Sequence, residues 1–291
     1  MQKKNLFLID GTYYLYNSYY IFPLLKNNTG EPTGAIFGII NMIYNLINMF
    51  NPKHLAVIFD HKNKSFRNKL FKKYKSNRLP MPKNLIKQIK PVKKIIKYMG
   101  IKSICISGVE ADDVIGTIAK NYTKKKNNKV FIKTNDQDMI QLITKNIKIL
   151  TKKNEILDKN IILKKYGISP KFKNDHIALS GDKTDNIPGI SGIGKITANK
   201  LIQIFGNIEN IYQNINKINI ISIRKKKEII DKLKKNKKKI LFYKSLATIK
   251  TNIKLNINDN DLCIKNKKIN KLRKIFKYYQ LNKFLPNLKK Y

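Results

Sequence analysis

Two short apolar runs, Leu6–Ile9 and Leu55–Phe59, contain no polar residue, and each closes on an aspartate, Asp10 and Asp60. A strand buried on both faces reads this way, whereas a strand with one wet face alternates. Between them, Gly34–Phe50 carries apolar residues at helical spacing and stops at Asn51-Pro52. Ile104–Ile106, Val130–Ile132 and Ile147–Leu150 predict further strands, with a helix over Ala111–Tyr122 between the first two. Strand and helix in alternation predict an α/β fold, a central, mostly parallel sheet flanked by helices. Ligands of such open sheets bind beyond the carboxyl ends of the strands, which is where Asp10 and Asp60 fall.

From about Asn174 the texture changes to helices separated by glycine-rich turns, and only Thr248–Leu255 suggests another strand. A chain of 291 residues can form one large domain or two modest ones. The change of texture predicts an α/β core over residues 1–173 and a helical subdomain over residues 174–291. Segment Ser65–Lys90 is basic, aromatic and interrupted by Pro80-Met81-Pro82. Helix is disfavoured just before each proline, so two short helices meeting at a bend are expected there.

Acids are scarce, 18 against 61 Lys plus Arg, and nine of them sit at a few sharply defined places. These are Asp10, Asp60, Glu110, Asp112, Asp113, Asp136, Asp138, Asp182 and Asp185. One carboxylate at the start of the Ala111–Tyr122 helix would complement its dipole. Glu110-Ala111-Asp112-Asp113 puts three there, and three repel one another unless a cation compensates. Asp136-Gln137-Asp138 alone reads equally as a polar turn, and Asp182 and Asp185 as helix caps. Together the groups exceed what one ion can use, so two or more Mg²⁺ or Mn²⁺ ions are expected, both suited to hard oxygen ligands. Two such ions can stabilise the attacking and leaving oxygens of a phosphoryl displacement and activate a water. His54, His61 and His176 have no nearby Ser or Cys partner of the kind that marks an acyl-transfer triad.

The net charge of +43 points to a polyanionic partner, nucleic acid first. The runs Lys124–Asn128, Arg224–Lys227 and Lys232–Lys239 read equally as solvated faces enriched by a base-composition bias. Cys105 and Cys263 are distant and lack metal-ligand spacing, which fits a reducing cytoplasm. The start Met1-Gln2-Lys3-Lys4 leads straight into a strand too short for a signal core, and no apolar run approaches a membrane span. A soluble intracellular protein without a membrane partner is the expectation.

Several motifs follow one another in a set order. They are Leu8-Ile9-Asp10-Gly11, Gly30-Glu31-Pro32-Thr33-Gly34-Ala35, Phe59-Asp60, Phe66-Arg67, Tyr74-Lys75-Ser76-Asn77-Arg78, Gly108-Val109-Glu110-Ala111-Asp112-Asp113, Thr134-Asn135-Asp136-Gln137-Asp138 and Gly181-Asp182-Lys183-Thr184-Asp185-Asn186-Ile187-Pro188-Gly189. In this order they resemble the 5′-nuclease domain of bacterial DNA polymerase I, from Leu6 to about Leu285. The resemblance implies a metal-dependent flap endonuclease and 5′→3′ exonuclease acting on DNA flaps, nicks and RNA–DNA junctions in replication and repair. It maps the family's metal ligands onto the same nine acids and its helical arch onto about Ser65–Lys90. Lys75 and Arg78 then correspond to the catalytic cations on the scissile phosphate. Tyr74 corresponds to a residue that stacks on a base, with core packing an equal alternative.

Residues 186–205 resemble the family's helix–hairpin–helix, which implies DNA contacts at Gly189, Gly192, Gly194, Lys195, Thr197 and Lys200 and a K⁺ on the hairpin carbonyls. Three positions depart from the family pattern: Asn135 stands for Gly, Asn17 for a basic residue and Ile196 for Lys. The sequence printed carries no polymerase module, so a separate DNA polymerase and ligase are expected on the same substrate. The resemblance further implies a cytoplasmic, nucleoid-associated monomer. Two other readings stay open, a non-catalytic basic DNA-binding protein and a metal-dependent ribonuclease of compact acidic-site type.

Overall fold

The computed structural model describes residues 4–289, so the Met1-Gln2-Lys3 start read above lies outside the described residues. Six strands form one sheet: β1 Asn5–Asp10, β2 His54–Ile58, β3 Lys102–Ile104, β4 Lys129–Lys133, β5 Ile147–Leu150 and β6 Ile156–Leu157. Their order is β3-β2-β1-β4-β5-β6, and every pair is parallel except the short β5–β6 edge. The mostly parallel sheet predicted from the apolar runs is therefore present. Leu8 of central β1 lies opposite Ala56 of β2 and Ile132 of β4, which brings the ends of all three strands to one edge.

Twelve α-helices and six short 3-10 helices complete the described residues. Five belong to the first half: α1 Gly11–Ile21, α2 Gly34–Phe50, α3 Phe66–Leu70, α4 Lys83–Tyr98 and α5 Ala111–Thr123. Seven follow: α6 Lys159–Tyr166, α7 Lys173–Ser180, α8 Lys195–Phe205, α9 Ile208–Gln213, α10 Lys226–Lys235, α11 Lys237–Ala247 and α12 Ile269–Tyr278. Successive residues of each buried strand feed opposite layers. Phe7, Ile9, Leu55 and Val57 pack with Ile39 of α2, Val92 of α4 and Phe276 of α12. Leu6, Leu8, Ala56 and Ile58 pack with Val114 and Ile118 of α5. Burial on both faces is why these runs show no alternation.

Helix α2 has the bounds its periodicity predicts. It ends at Asn51 in left-handed conformation (φ 41°), which asparagine tolerates, just before Pro52. The Ser65–Lys90 segment departs from expectation. Its first helix is short, but α4 runs eight residues past Lys90 through Pro91, because Leu85, Val92, Ile95 and Ile96 form one apolar stripe buried against the sheet. That burial outweighs the hydrogen bond Pro91 cannot make.

Thr248–Leu255 is not a strand. It crosses the α5 face, where Thr117 Oγ1 donates to the Lys250 carbonyl and accepts from Ile253 N–H, and Gln141 Oε1 accepts from Ile249 N–H. Side chains rather than a sheet edge satisfy its backbone. Beyond it the chain returns to the sheet, and Leu272, Phe276, Leu281 and Phe284 join the β1–β2 layer. A separate apolar cluster, built on Ala198, Leu201, Ile211, Leu233 and Ile240, holds α8 to α11 together.

Candidate metal centre and nucleic-acid interface

Asp10 is the last residue of β1 and also caps α1, its Oδ1 accepting from Tyr13 N–H at 3.0 Å. Its Oδ2 accepts from the buried Thr134 hydroxyl at 2.9 Å, just past the end of β4. Asp60 follows β2 and anchors the start of α5 by accepting from Ala111 N–H at 2.7 Å, while its own N–H donates to Thr12 Oγ1. Asp112 lies in the first turn of α5, and Asp136 two residues after Thr134. Strand ends thus bring together acids that are far apart in the chain.

Their electrostatics show that they share one field. Burial, then the charges of Asp136 and Asp60, push the Asp10 carboxyl up to about 7. Burial together with Asp136, Asp10 and Asp60 raises Asp112 well above the usual carboxylate range. Asp138 is pushed up to about 7, first by burial and then by Asp136, Asp185 and Asp182. Asp136 belongs to both sets, itself raised by burial and by Asp185. Asp136 also accepts from Asp138 N–H at 2.8 Å and lines one cleft with Asp138, Asp182 and Asp185, so it stands where two carboxylate groups meet.

The second group sits on a turn closed by Asp182, whose Oδ1 accepts from Thr184 N–H at 2.6 Å and Asp185 N–H at 3.2 Å. Gly181 and Gly189 cross here so closely that a Cβ on Gly189 would lie 2.2 Å from Gly181 N, and both have positive φ. The chain between α3 and α4 docks on this turn. Lys75 N–H donates to the Asp185 carbonyl (3.0 Å), Asn77 to the Lys183 carbonyl (2.7 Å), and Asn186 to the Lys73 carbonyl (2.7 Å). Arg78 pairs with Asp185 at 2.7 Å, and Lys75 with Glu110 at 3.0 Å and Asp185 at 3.7 Å. Burial works to raise Glu110, but Lys75 and Arg67 outweigh it and hold this carboxyl below its usual value.

Asp113 does not share the site. It is fully buried, and both its oxygens accept from Arg67 at 2.7 Å, with Lys250 N–H on Oδ1 at 2.8 Å. Neighbouring positions on a helix point about 100° apart, so Asp112 faces the cleft while Asp113 faces inward. Tyr74 is also buried, its hydroxyl donating to Asp185 at 2.7 Å with Glu110 at 3.1 Å. Core packing, not a free stacking face, is what the structure gives it. Arg67, absent from the residues singled out by charge, donates to Asp113, Glu110 and the carbonyls of Leu246 and Thr248. The Phe66-Arg67 pair in the motif series was its one sequence signal.

In the hairpin, Gly189 (φ 64°) and Gly192 (φ 84°) take conformations that side chains resist, and Gly194 caps α8. Lys195 and Thr197 follow in its first turn, and Lys200 donates to the Ser222 carbonyl at 2.8 Å. Ile196 is 77% exposed at the place of the missing lysine. Asn135, in place of Gly, uses its side chain to accept from Lys152 N–H.

The donor set is all carboxylate oxygen, the chemistry that holds Mg²⁺ or Mn²⁺; burial first, and neighbouring carboxylates second, raise Asp10, Asp112 and Asp138, and a divalent ion would offset both. Among the described residues no three His, Cys, Asp or Glu side chains already close on a single point as a metal shell. Lys75 and Arg78 compensate part of the charge instead.

The chain matches the family model described as 5′-3′ exonuclease, N-terminal resolvase-like domain, over residues 5–167, and that described as 5′-3′ exonuclease, C-terminal SAM fold, over residues 168–270. It is 47% identical over 274 residues to a 5′-3′ exonuclease of Buchnera aphidicola, covering 94% of this chain and 96% of that one. A DNA polymerase I of Pseudomonas aeruginosa is 38% identical over 264 residues, 90% of this chain but 29% of its own length. Among solved structures, T5 5′-exonuclease with bound zinc superposes with a TM-score of 0.68 at 21% identity, over 84% of this chain and 89% of that one. The catalytic core of Rad2 in complex with DNA gives 0.64 at 19%, over 99% and 93%. At these identities the structures establish a shared fold.

Two expectations follow from the geometry. Asp113→Ala leaves the buried Arg67 guanidinium only Glu110 at 3.3 Å as a charged partner and should cost about 3 kcal/mol in urea unfolding, whereas Asp112→Ala, which relieves repulsion, should leave metal-free stability unchanged or higher. Equal losses in both would contradict the division between them. In chelator, Asp10 holds its proton to about pH 7 when folded but only to about 4 when unfolded. Its ionisation therefore removes stability as pH rises from about 4 to 7. Asp10→Asn should gain on the parent across that window, and a pH-independent difference would refute the shift.

Proposed function

Since the chain belongs to the 5′-3′ exonuclease family, we propose that it is a structure-specific 5′ nuclease that hydrolyses phosphodiesters of DNA flaps, nicks and RNA primers. The observation that carries this reading is the junction of two carboxylate groups at Asp136, beside two cations that reach into them. Asp10, Asp60, Asp112 and Asp136 would hold one Mg²⁺ or Mn²⁺ ion, and Asp136, Asp138, Asp182 and Asp185 a second, with Glu110 close to the first. Such ions supply an activated water and charge stabilisation at the leaving oxygen. Lys75 and Arg78, now paired with Glu110 and Asp185, exchange those carboxylates for the non-bridging oxygens of the scissile phosphate. That exchange couples substrate arrival to exposure of the acids.

The nuclease core would occupy residues 1–173, and the helical part from residue 174 would grip the duplex. Amides at the start of α8, with Lys195, Thr197 and Lys200, would meet phosphates without reading sequence, and hairpin carbonyls between Gly189 and Gly194 would bind K⁺. Among the described residues no helix is long and apolar enough to cross a membrane. We place the protein in the cytoplasm at the nucleoid as a monomer, serving replication and repair, with gap filling and sealing supplied by a separate polymerase and ligase.

An end-labelled 5′-flap duplex tests the reading. Cleavage should require Mg²⁺ and vanish with chelator. Asp112→Ala should bind the flap but not cut it. Lys75→Ala should lose roughly a hundredfold in rate with far less loss of binding. Chelator-resistant cleavage, or binding without any cleavage by the parent, would overturn it.

A further inference from the structure

Between α4 and α12 lies a groove of about 680 Å³ outside the carboxylate site. Its rim carries Lys90 and Lys94 from one helix and Lys271 and Lys274 from the other, and no carboxylate lines it. In a chain so rich in lysine that rim alone means little; the walls are what set the groove apart. Three tyrosines, Tyr98, Tyr278 and Tyr279, form them. Lys94 and Lys271 stand 6.0 and 5.6 Å from the Tyr98 ring centre, so the cations already sit against an aromatic face. Tyr278 is 54% exposed and meets Tyr279 edge-on at 4.8 Å.

The backbone at the exposed ring is fixed, the Tyr278 carbonyl accepting from Asn27 at 3.3 Å. A large aromatic surface that faces water on an anchored stretch of backbone offers a flat ligand a stacking face. Cations beside open aromatic faces, with no array of donors and acceptors to read base edges, match a single nucleic-acid strand bound by stacking and phosphate pairing. Duplex bases, already stacked on each other, cannot use such faces.

Position ties the groove to the nuclease site. Helix α4 begins directly after the segment bearing Lys75 and Arg78. Lys87, Lys90 and Lys94 fall at helical spacing on one side of it. They lead away from that segment at about 1.5 Å per residue. Tyr279 also lines an adjoining cavity whose charged residues are Lys26, Lys87 and one carboxylate, Glu31. We propose that this groove holds the single-stranded 5′ arm of the substrate after it has passed Lys75 and Arg78. The inference rests on the nuclease reading and adds a second binding site to it.

Fluorescence anisotropy in chelator tests it with two probes, a nicked duplex without an arm and the same duplex with a long oligothymidine 5′ arm. The arm should tighten binding by the parent. Tyr278→Ala and the double variant Lys271→Glu/Lys274→Glu should each remove that gain, roughly tenfold, while binding the armless duplex as before. The double lysine variant should also lower the salt slope on the armed probe by about 1.4, from two phosphates at about 0.7 each. A control with the same charge change at the far end of α5, Lys124→Glu/Lys126→Glu, should keep the gain. No gain in the parent, equal losses on both probes, or a control that mimics the groove variants would overturn the proposal. Mg²⁺-dependent flap cleavage in the parent would show, independently, that the nuclease reading survives such a result.

Discussion

Carboxylates brought to one edge of a parallel sheet repel one another, and much of this molecule's polar architecture answers that repulsion. The sheet imposes the problem, since β1, β2 and β4 end side by side and each leads into an acid. Internal cations answer it in part. Lys75 takes a left-handed backbone (φ 53°), an unfavourable conformation for a lysine, and its ammonium reaches Glu110 and Asp185. Arg78 takes the other oxygen of Asp185. Burial, and after it the carboxylate charge these cations leave unpaired, raises the Asp10, Asp112 and Asp138 carboxyls.

Arg67 solves a different part of the same problem. Its guanidinium is 2% exposed, yet it meets two oxygens of Asp113, one of Glu110 and two carbonyls at the end of α11. A planar fork of five donors can satisfy such a set, which an ammonium cannot. The start of α3, the acidic turn of α5 and the exit from the helical region are thereby fixed to one another. Removing Asp113 takes the bidentate partner from a buried charge and leaves it only Glu110 at 3.3 Å, so this junction is costly to disturb.

Much of this was legible in the sequence because the signals are local. Uninterrupted apolar runs marked strands buried on both faces, and the end of α2 was written in Asn51-Pro52. What escaped depends on distant partners or on direction. Asp112 and Asp113 differ in role only through the way α5 faces, and the guanidinium that claims Asp113 lies 46 residues away. Thr248–Leu255 looked like a strand because its composition is strand-like; its backbone partners, Thr117 and Gln141, lie more than a hundred residues earlier. The two short helices expected over Ser65–Lys90 missed that α4 continues through Pro91 to Tyr98, because the stripe that buries it is set by packing against the sheet. Tyr74 combines aromatic and polar character, and only its burial settles which part is used.

The central claim is that Asp136 joins two carboxylate groups into one cation-binding unit. Equilibrium dialysis of Mn²⁺ against the parent and Asp136→Ala measures it directly. Two ions per parent chain, with both weakened by the single substitution, is the predicted result. Binding that is absent from the parent, or that persists unchanged without Asp136, would contradict it.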